Sequence, residues 1–272
     1  MARKKATKSD IETEMSMIRA EIDNPLNFKL NVKCKTKKQK EFLNSIFTKE
    51  ISFVLGPAGT GKSYVSIYGA LQLLKDPNNG YEKIIFIYPV ELSKEENLGY
   101  LKGTLEQKIQ PYTEADIYTM EKIIDASGKN GKEVVQKLIS LGMIEFKAAT
   151  FLRGCSIDNS LVLVSECQNF SKDTFLKILT RIGTNSRYIF SGDSQQKDAQ
   201  SIKNGKNIMG IQYAIEKLSD LSEFGIVEFG LEDIIRNDLI VKVLKRWLPE
   251  IYGNLNEEEE FRKAKEERLE EY

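Results

Sequence analysis

The sequence contains no histidine. Ser-His and Cys-His dyads, histidine-liganded metals and imidazole acid–base chemistry are excluded together. Cysteine is scarce as well. Cys34, Cys155 and Cys167 are an odd number without paired spacing, which argues against a disulfide framework or a zinc site. Neither sign of charge is in excess, with 40 basic and 40 acidic residues. Any contact with nucleic acid must therefore come from local patches and not from a global positive field. Long apolar runs are missing too: no window approaches a transmembrane length, and the opening "MARKKATKSD" lacks the apolar core of a signal peptide. The chain therefore reads as cytoplasmic, with no membrane partner. What is present is a soluble composition, 41% hydrophobic and 29% charged over 272 residues. That length suffices for one large domain or two small ones, with a sizeable core.

The sharpest signal is "ISFVLGPAGTGKSYVSIYGALQLLK". Ile51–Leu55 is a short apolar run with β-branched residues, as a buried parallel strand requires. Gly56-Pro57-Ala58-Gly59-Thr60-Gly61-Lys62-Ser63 follows and matches G-x-x-x-x-G-K-[ST]. Val65, Tyr68, Leu71 and Leu74 then fall on one face of a helix. Glycines let backbone N–H groups curl around a polyphosphate, and the helix N-terminus adds its dipole. Lys62 is placed to reach the β- and γ-phosphates of a nucleotide, and the Ser63 hydroxyl to ligate Mg2+.

Further apolar runs alternate with helical periodicity. Lys83–Tyr88, Met143–Phe146, Leu161–Val164, Arg187–Phe190 and Ile226–Phe229 read as strands. Helices are predicted over about Ser171–Ile182, Asn207–Leu218 and Asn237–Leu248, with Ser171 as an N-cap, Gly183 as a stop and Pro249 ending the last. This alternation predicts an α/β fold, a mostly parallel sheet with helices on both faces and the ligand at the carboxyl ends of the strands. Pro111 to Gly142 breaks the rhythm and reads as a helical insertion, at about 112–142, around the basic "SGKNGK". Residues 1–31 form an amphipathic segment with Ile11, Met15, Ile18 and Ile22 on one helical face, and residues 254–272 a charged tail.

Two other strands end in chemistry. "LVLVSECQNF" runs from four apolar residues into Ser165 and Glu166. A P-loop hydrolase needs a strand beside the first that delivers carboxylates to Mg2+ and the attacking water, and Glu166 suits orienting or deprotonating that water. An aspartate usually precedes such a glutamate and holds the metal. Ser165 stands there, able to position a metal-bound water but bringing no charge. "RYIFSGDSQQKDA" ends a third run in a G-D-x-x-Q pattern, whose amide, Gln196, can sense the γ-phosphate. Arg236, at the start of the last helix, can place a guanidinium on the triphosphate, as can Arg153 or Arg181.

Together these segments resemble the PhoH family of P-loop ATPases. The resemblance runs from about Thr36 to Trp247, through "GPAGTGKS", "YPVE", "LGYLKGTLEQKIQPY", "FLRG", "SECQN", "LTRIG", "SGDSQQKD" and "DIIRNDLIVKVL". It implies a RecA-like core over residues 32–253, ATP hydrolysis with Mg2+, action on RNA or single-stranded nucleic acid, and a homo-oligomeric ring, a hexamer. The lack of a fused nuclease-like domain makes the chain similar to the short members, including those of bacteriophages. By the same resemblance Gln39 hydrogen-bonds the adenine, Gly56 to Ser63 hold phosphate and, through Ser63, metal, Ser165 and Glu166 face the metal, Glu166 activates water, Gln196 couples hydrolysis to motion, and Arg236 contacts the γ-phosphate. Two departures stand out: the family's D-E-A-Q-N is S-E-C-Q-N here, and the arginine usual before P-V is Tyr88. The first predicts slower hydrolysis or a higher Mg2+ requirement. A single core per chain also predicts a neighbouring subunit that supplies an arginine across a head-to-tail interface. A nucleotide-gated assembly module and a small-molecule kinase are the alternatives.

Overall fold

Residues along the central strands point alternately to two sides, and each side is covered by its own helices. The computed structural model describes residues 24–89, 105–152, 154, 156–193 and 210–252. In chain order the described elements are α1 (Lys37–Thr48), β1 (Ile51–Leu55), α2 (Lys62–Lys75), β2 (Lys83–Tyr88), α3 (Leu105–Asp125), α4 (Gly131–Ser140) and β3 (Ile144–Ala148). They continue with β4 (Ser160–Val164), α5 (Lys172–Leu179), β5 (Ser186–Gly192), α6 (Gly210–Leu218), β6 (Phe224–Glu228), α7 (Asp238–Trp247) and α8 (Pro249–Tyr252).

The strands form one sheet in the order β3-β2-β4-β5-β1-β6, and every neighbouring pair is parallel. Val54, Ile84, Phe86, Leu161, Leu163 and Ile189 face α1 to α4 in one core. Phe53, Ile85, Ile87, Val162, Val164 and Phe190 face α5 and α6 in the other. Burial on both faces explains why β1 and β4 are buried throughout and show no polar alternation.

Four details differ from the sequence reading. β4 does not lie beside β1, because β5 runs between them and pairs with both. The segment at 112–142 is the crossover joining β2 to the edge strand β3, not an appendage, and Met120, Ile123, Ile124, Val135 and Leu138 are fully buried in the core. Helix α3 runs through Pro111 without ending there; packing of its apolar face outweighs the backbone bond that proline forgoes. α5 stops at Leu179, short of Gly183, and Pro249 opens the next turn, as suits a residue that needs no N–H at a helix start. Ser171 caps α5 as expected, accepting from the Thr174 amide. The amphipathic segment through residue 23 and the tail from residue 254 lie outside the described residues.

Candidate active site

The register brings three strand ends level. Leu55 pairs with Gly192, and the Gly56 amide donates to the Gly192 carbonyl at 3.2 Å, so the phosphate loop starts where β5 ends. Gly61 caps α2 with φ 87°, a left-handed conformation that side chains avoid. The turn it makes aims the first amides of α2 into a cleft of about 300 Å3, lined among others by Ala58, Lys62, Ser63, Glu166, Asp193 and Arg236. The Lys62 ammonium donates to the carbonyls of Gly56 at 2.6 Å and Pro57 at 2.9 Å. Burial lowers its pKa, opposed by Asp193 and Glu166. A half-buried cation flanked by acids and amide donors is a place for polyphosphate.

The loop is held from both flanks. Thr36 caps α1 and buries Gln39 in its first turn. The Gln39 amide nitrogen donates to the Thr60 carbonyl at 2.8 Å, and its oxygen accepts from the Lys35 amide at 2.7 Å. On the other flank the Ile235 amide donates to the Gly59 carbonyl at 3.1 Å. Gln39, expected at an adenine, thus also braces the loop.

At the end of β4, Glu166 has φ 53° and ψ 39°. Left-handed backbone at a non-glycine residue costs on the order of 1 kcal/mol or more and persists where surroundings enforce it. The carboxylate that this backbone presents is held by Gln168. Its amide nitrogen donates to the Glu166 carboxylate at 2.7 Å, and its oxygen accepts from the Asp193 amide at 3.1 Å. One buried side chain therefore ties the acid after β4 to the end of β5. Gly192 permits this, since a Cβ there would come 2.9 Å from the Gln168 oxygen and 2.8 Å from the Cys167 sulfur.

Helix α3 completes the enclosure. Thr119 reaches the cleft, and Asp116 lies three residues before it, 7% exposed. The Tyr88 hydroxyl donates to Asp116 at 2.8 Å. Burial pushes the Asp116 carboxyl up to about 6, with the Tyr88 bond opposing and the charge of Glu166 adding to the rise.

The structure thus brings together Gly56, Pro57, Ala58, Gly59, Thr60, Gly61, Lys62, Ser63, Glu166 and Arg236, with Ser165 just beneath. Arg236 sits before the Asn237 cap of α7, not inside the helix. Arg181 is not brought there. Its carbonyl accepts from the Ile157 amide ahead of β4, at the amino ends of the strands, away from the cleft. Gln196 and Arg153 lie outside the described residues. The sequence reading assigned no role to Gln168, Asp193, Thr119 or Asp116. The first two stand inside quoted motifs, whereas the helix pair carries no local signal.

Among the described residues no helix is long and apolar enough to cross a membrane. A family model described as "PhoH-like protein" matches residues 31–247. A PhoH-like protein of Bacillus subtilis is 29% identical over 245 residues, covering 90% of this chain and 72% of its own length. One from Mycobacterium tuberculosis H37Rv is 30% identical, covering 78% and 57%. Protein PhoH of Escherichia coli K12 is 30% identical, covering 76% and 55%. The chain thus spans little more than half of the latter two. A solved large terminase from a thermophilic bacteriophage is 11% identical with a TM-score of 0.43, covering 78% of this chain and 49% of the terminase. With the model match running over most of its length and the phosphate loop, the acid-ended β4 and the G-D end of β5 meeting at one cleft, the chain belongs to the PhoH family.

Proposed function

We propose that this protein binds ATP with Mg2+ and hydrolyses it, coupling the reaction to RNA or single-stranded nucleic acid as a ring-forming homo-oligomer. One observation carries the reading: Lys62, Ser63, Glu166, Asp193 and Arg236 converge on a single cleft at the head of α2. Lys62 and the loop amides bind the phosphates. Glu166, strained and braced by Gln168, orients the attacking water or takes its proton. Arg236 offers a guanidinium to charge developing on the γ-phosphate. Gln39 would meet the adenine with the hydrogen-bonding positions left free by its loop contacts. Gln196 is the sensor by resemblance.

The donors suit Mg2+. Ser63 opens on the cleft and, with Ser165, also lines a tight crevice behind it that has no room for a water, and among the described residues no cluster of three acidic, cysteine or histidine ligands competes with this set. A hydroxyl, waters and phosphate oxygens are the set this hard cation favours. When bound it would neutralise charge on the phosphates.

Exposed Lys33 and Lys35 lead into α1, Lys37 and Lys40 stand in its first turn, and together they offer phosphate contacts beside the loop-bracing Gln39. Leu239, Val243 and Trp247 of α7 are exposed at successive turns, next to Arg236. A second copy of this chain is the occupant favoured here, since an interface at that edge would close the cleft. Ser165 favours a second reading, in which ATP mainly holds the ring together. ATP turnover with and without single-stranded RNA or DNA, over a salt series, separates the two. Strong stimulation that weakens with salt is expected. Tight binding with negligible turnover would favour the second, and light scattering that finds only monomer with ATP and Mg2+ would remove the ring.

A further inference from the structure

We infer that the Asp116 carboxylate supplies negative charge to the Mg2+ site alongside the Ser63 and Ser165 hydroxyls, so that the charge absent at position 165 enters from α3 instead. The inference deepens the nucleotide reading above and rests on it. Mg2+ held between protein and phosphates ordinarily takes one or two carboxylates, and β4 ends in a neutral serine. The missing charge lies nearby. Asp116 lines the same narrow crevice as Ser63, Ser66, Ser165 and Ser191, a set of four hydroxyls and one carboxylate over an apolar floor that includes Phe86 and Leu163.

A carboxylate buried to this depth needs a cation or several donors. Among the described residues the ion pairs do not include Asp116, and the hydrogen bond it receives comes from Tyr88. That bond fixes the carboxylate and leaves its charge uncompensated. The two positions where the sequence departs from the family pattern, Tyr88 and Ser165, also meet here. One bonds Asp116 and the other shares its crevice.

Asp116→Asn removes the charge but keeps an oxygen that accepts from Tyr88, so it isolates the electrostatic role from the packing role. The full chain, with a slowly hydrolysed ATP analogue, is titrated with Mn2+ while the electron paramagnetic resonance signal of the free ion is followed. Labelled ADP binding in EDTA is measured in parallel. Asp116→Asn is expected to weaken Mn2+ binding about 10–100-fold, the loss typical of altered metal surroundings, with metal-free ADP affinity held within about threefold. Ser165→Asp placed on Asp116→Asn is expected to recover most of the loss. Wild-type Mn2+ affinity in a folded Asp116→Asn variant overturns the inference, as does a double variant no better than the single. If Asp116→Asn does not fold, Asp116→Glu is read in the same way: a changed resonance of the bound ion supports the inference, and an unchanged one overturns it. Failure of the wild type to bind labelled ADP defeats the nucleotide reading and this inference together, whereas intact ADP binding with unmoved Mn2+ affinity defeats this inference alone.

Discussion

The end of β1 is built from backbone, whereas the end of β4 is built from side chains. After β1, glycines turn the chain so that amides face the cleft, and the side chains added are those of adjacent Lys62, held by two loop carbonyls, and Ser63. After β4, Glu166 depends on Gln168, Gln168 depends on the Asp193 amide, and the neighbouring charge comes from α3, far upstream in the chain. A contiguous stretch of chain specifies the first end. The second is specified by packing among several segments, so it can be rewritten piece by piece. A serine for a carboxylate is tolerable at such a place when another element carries the charge.

If that division holds, replacements at the two ends separate chemistry from binding. The largest effect is expected from Glu166→Gln, which should lower ATP turnover by about 10²–10⁴-fold while labelled-nucleotide affinity stays near wild type. Equal loss of affinity would break the comparison. Lys62→Ala comes next. It should lose about 10²–10³-fold in turnover together with a clear loss of nucleotide affinity by fluorescence titration. Gly192→Ala sharpens the second half, since its new Cβ meets Cys167 and Gln168. Chemical denaturation should show about 1–3 kcal/mol lost to overpacking, with turnover falling and ADP affinity retained.

The smallest effect concerns stability. In the metal-free chain the Asp116 carboxyl titrates at about 6, above its value in an unfolded chain. The folded state therefore holds this proton more tightly than the unfolded state. Its stabilising contribution is present at low pH and is lost as pH rises through about 6. Asp116→Asn should flatten that dependence and raise metal-free stability at neutral pH by on the order of 2 kcal/mol, read from denaturation in EDTA. A variant more stable yet weaker for metal would mark Asp116 as kept for function.

Much of the fold could be read from apolar runs. All six strands and the helices capped by Ser171 and Asn237 follow from local pattern. Strand order could not. The apolar residues of β5 do not reveal that they run between β1 and β4, because pairing is decided by which crossovers pack. The phosphate loop was legible because its chemistry is contiguous. Asp116 and Thr119 were not, since their approach depends on α3 lying along the sheet, and Pro111 argued against a continuous helix there. Gln168 was in plain view within "SECQN", but its bond to the Asp193 amide needs the register of β4 against β5.

The paired anchorage of the phosphate loop has a mechanical consequence. Thr60 is pinned to α1 through Gln39, and adjacent Gly59 is pinned to the segment preceding α7 through Ile235. A loop that flexes as phosphate arrives and departs must tug on both attachments. One pull travels toward the lysine-bearing start of α1, the other toward Arg236 and the outward apolar ridge of α7, so a single displacement of the loop is shared between the two flanks of the cleft.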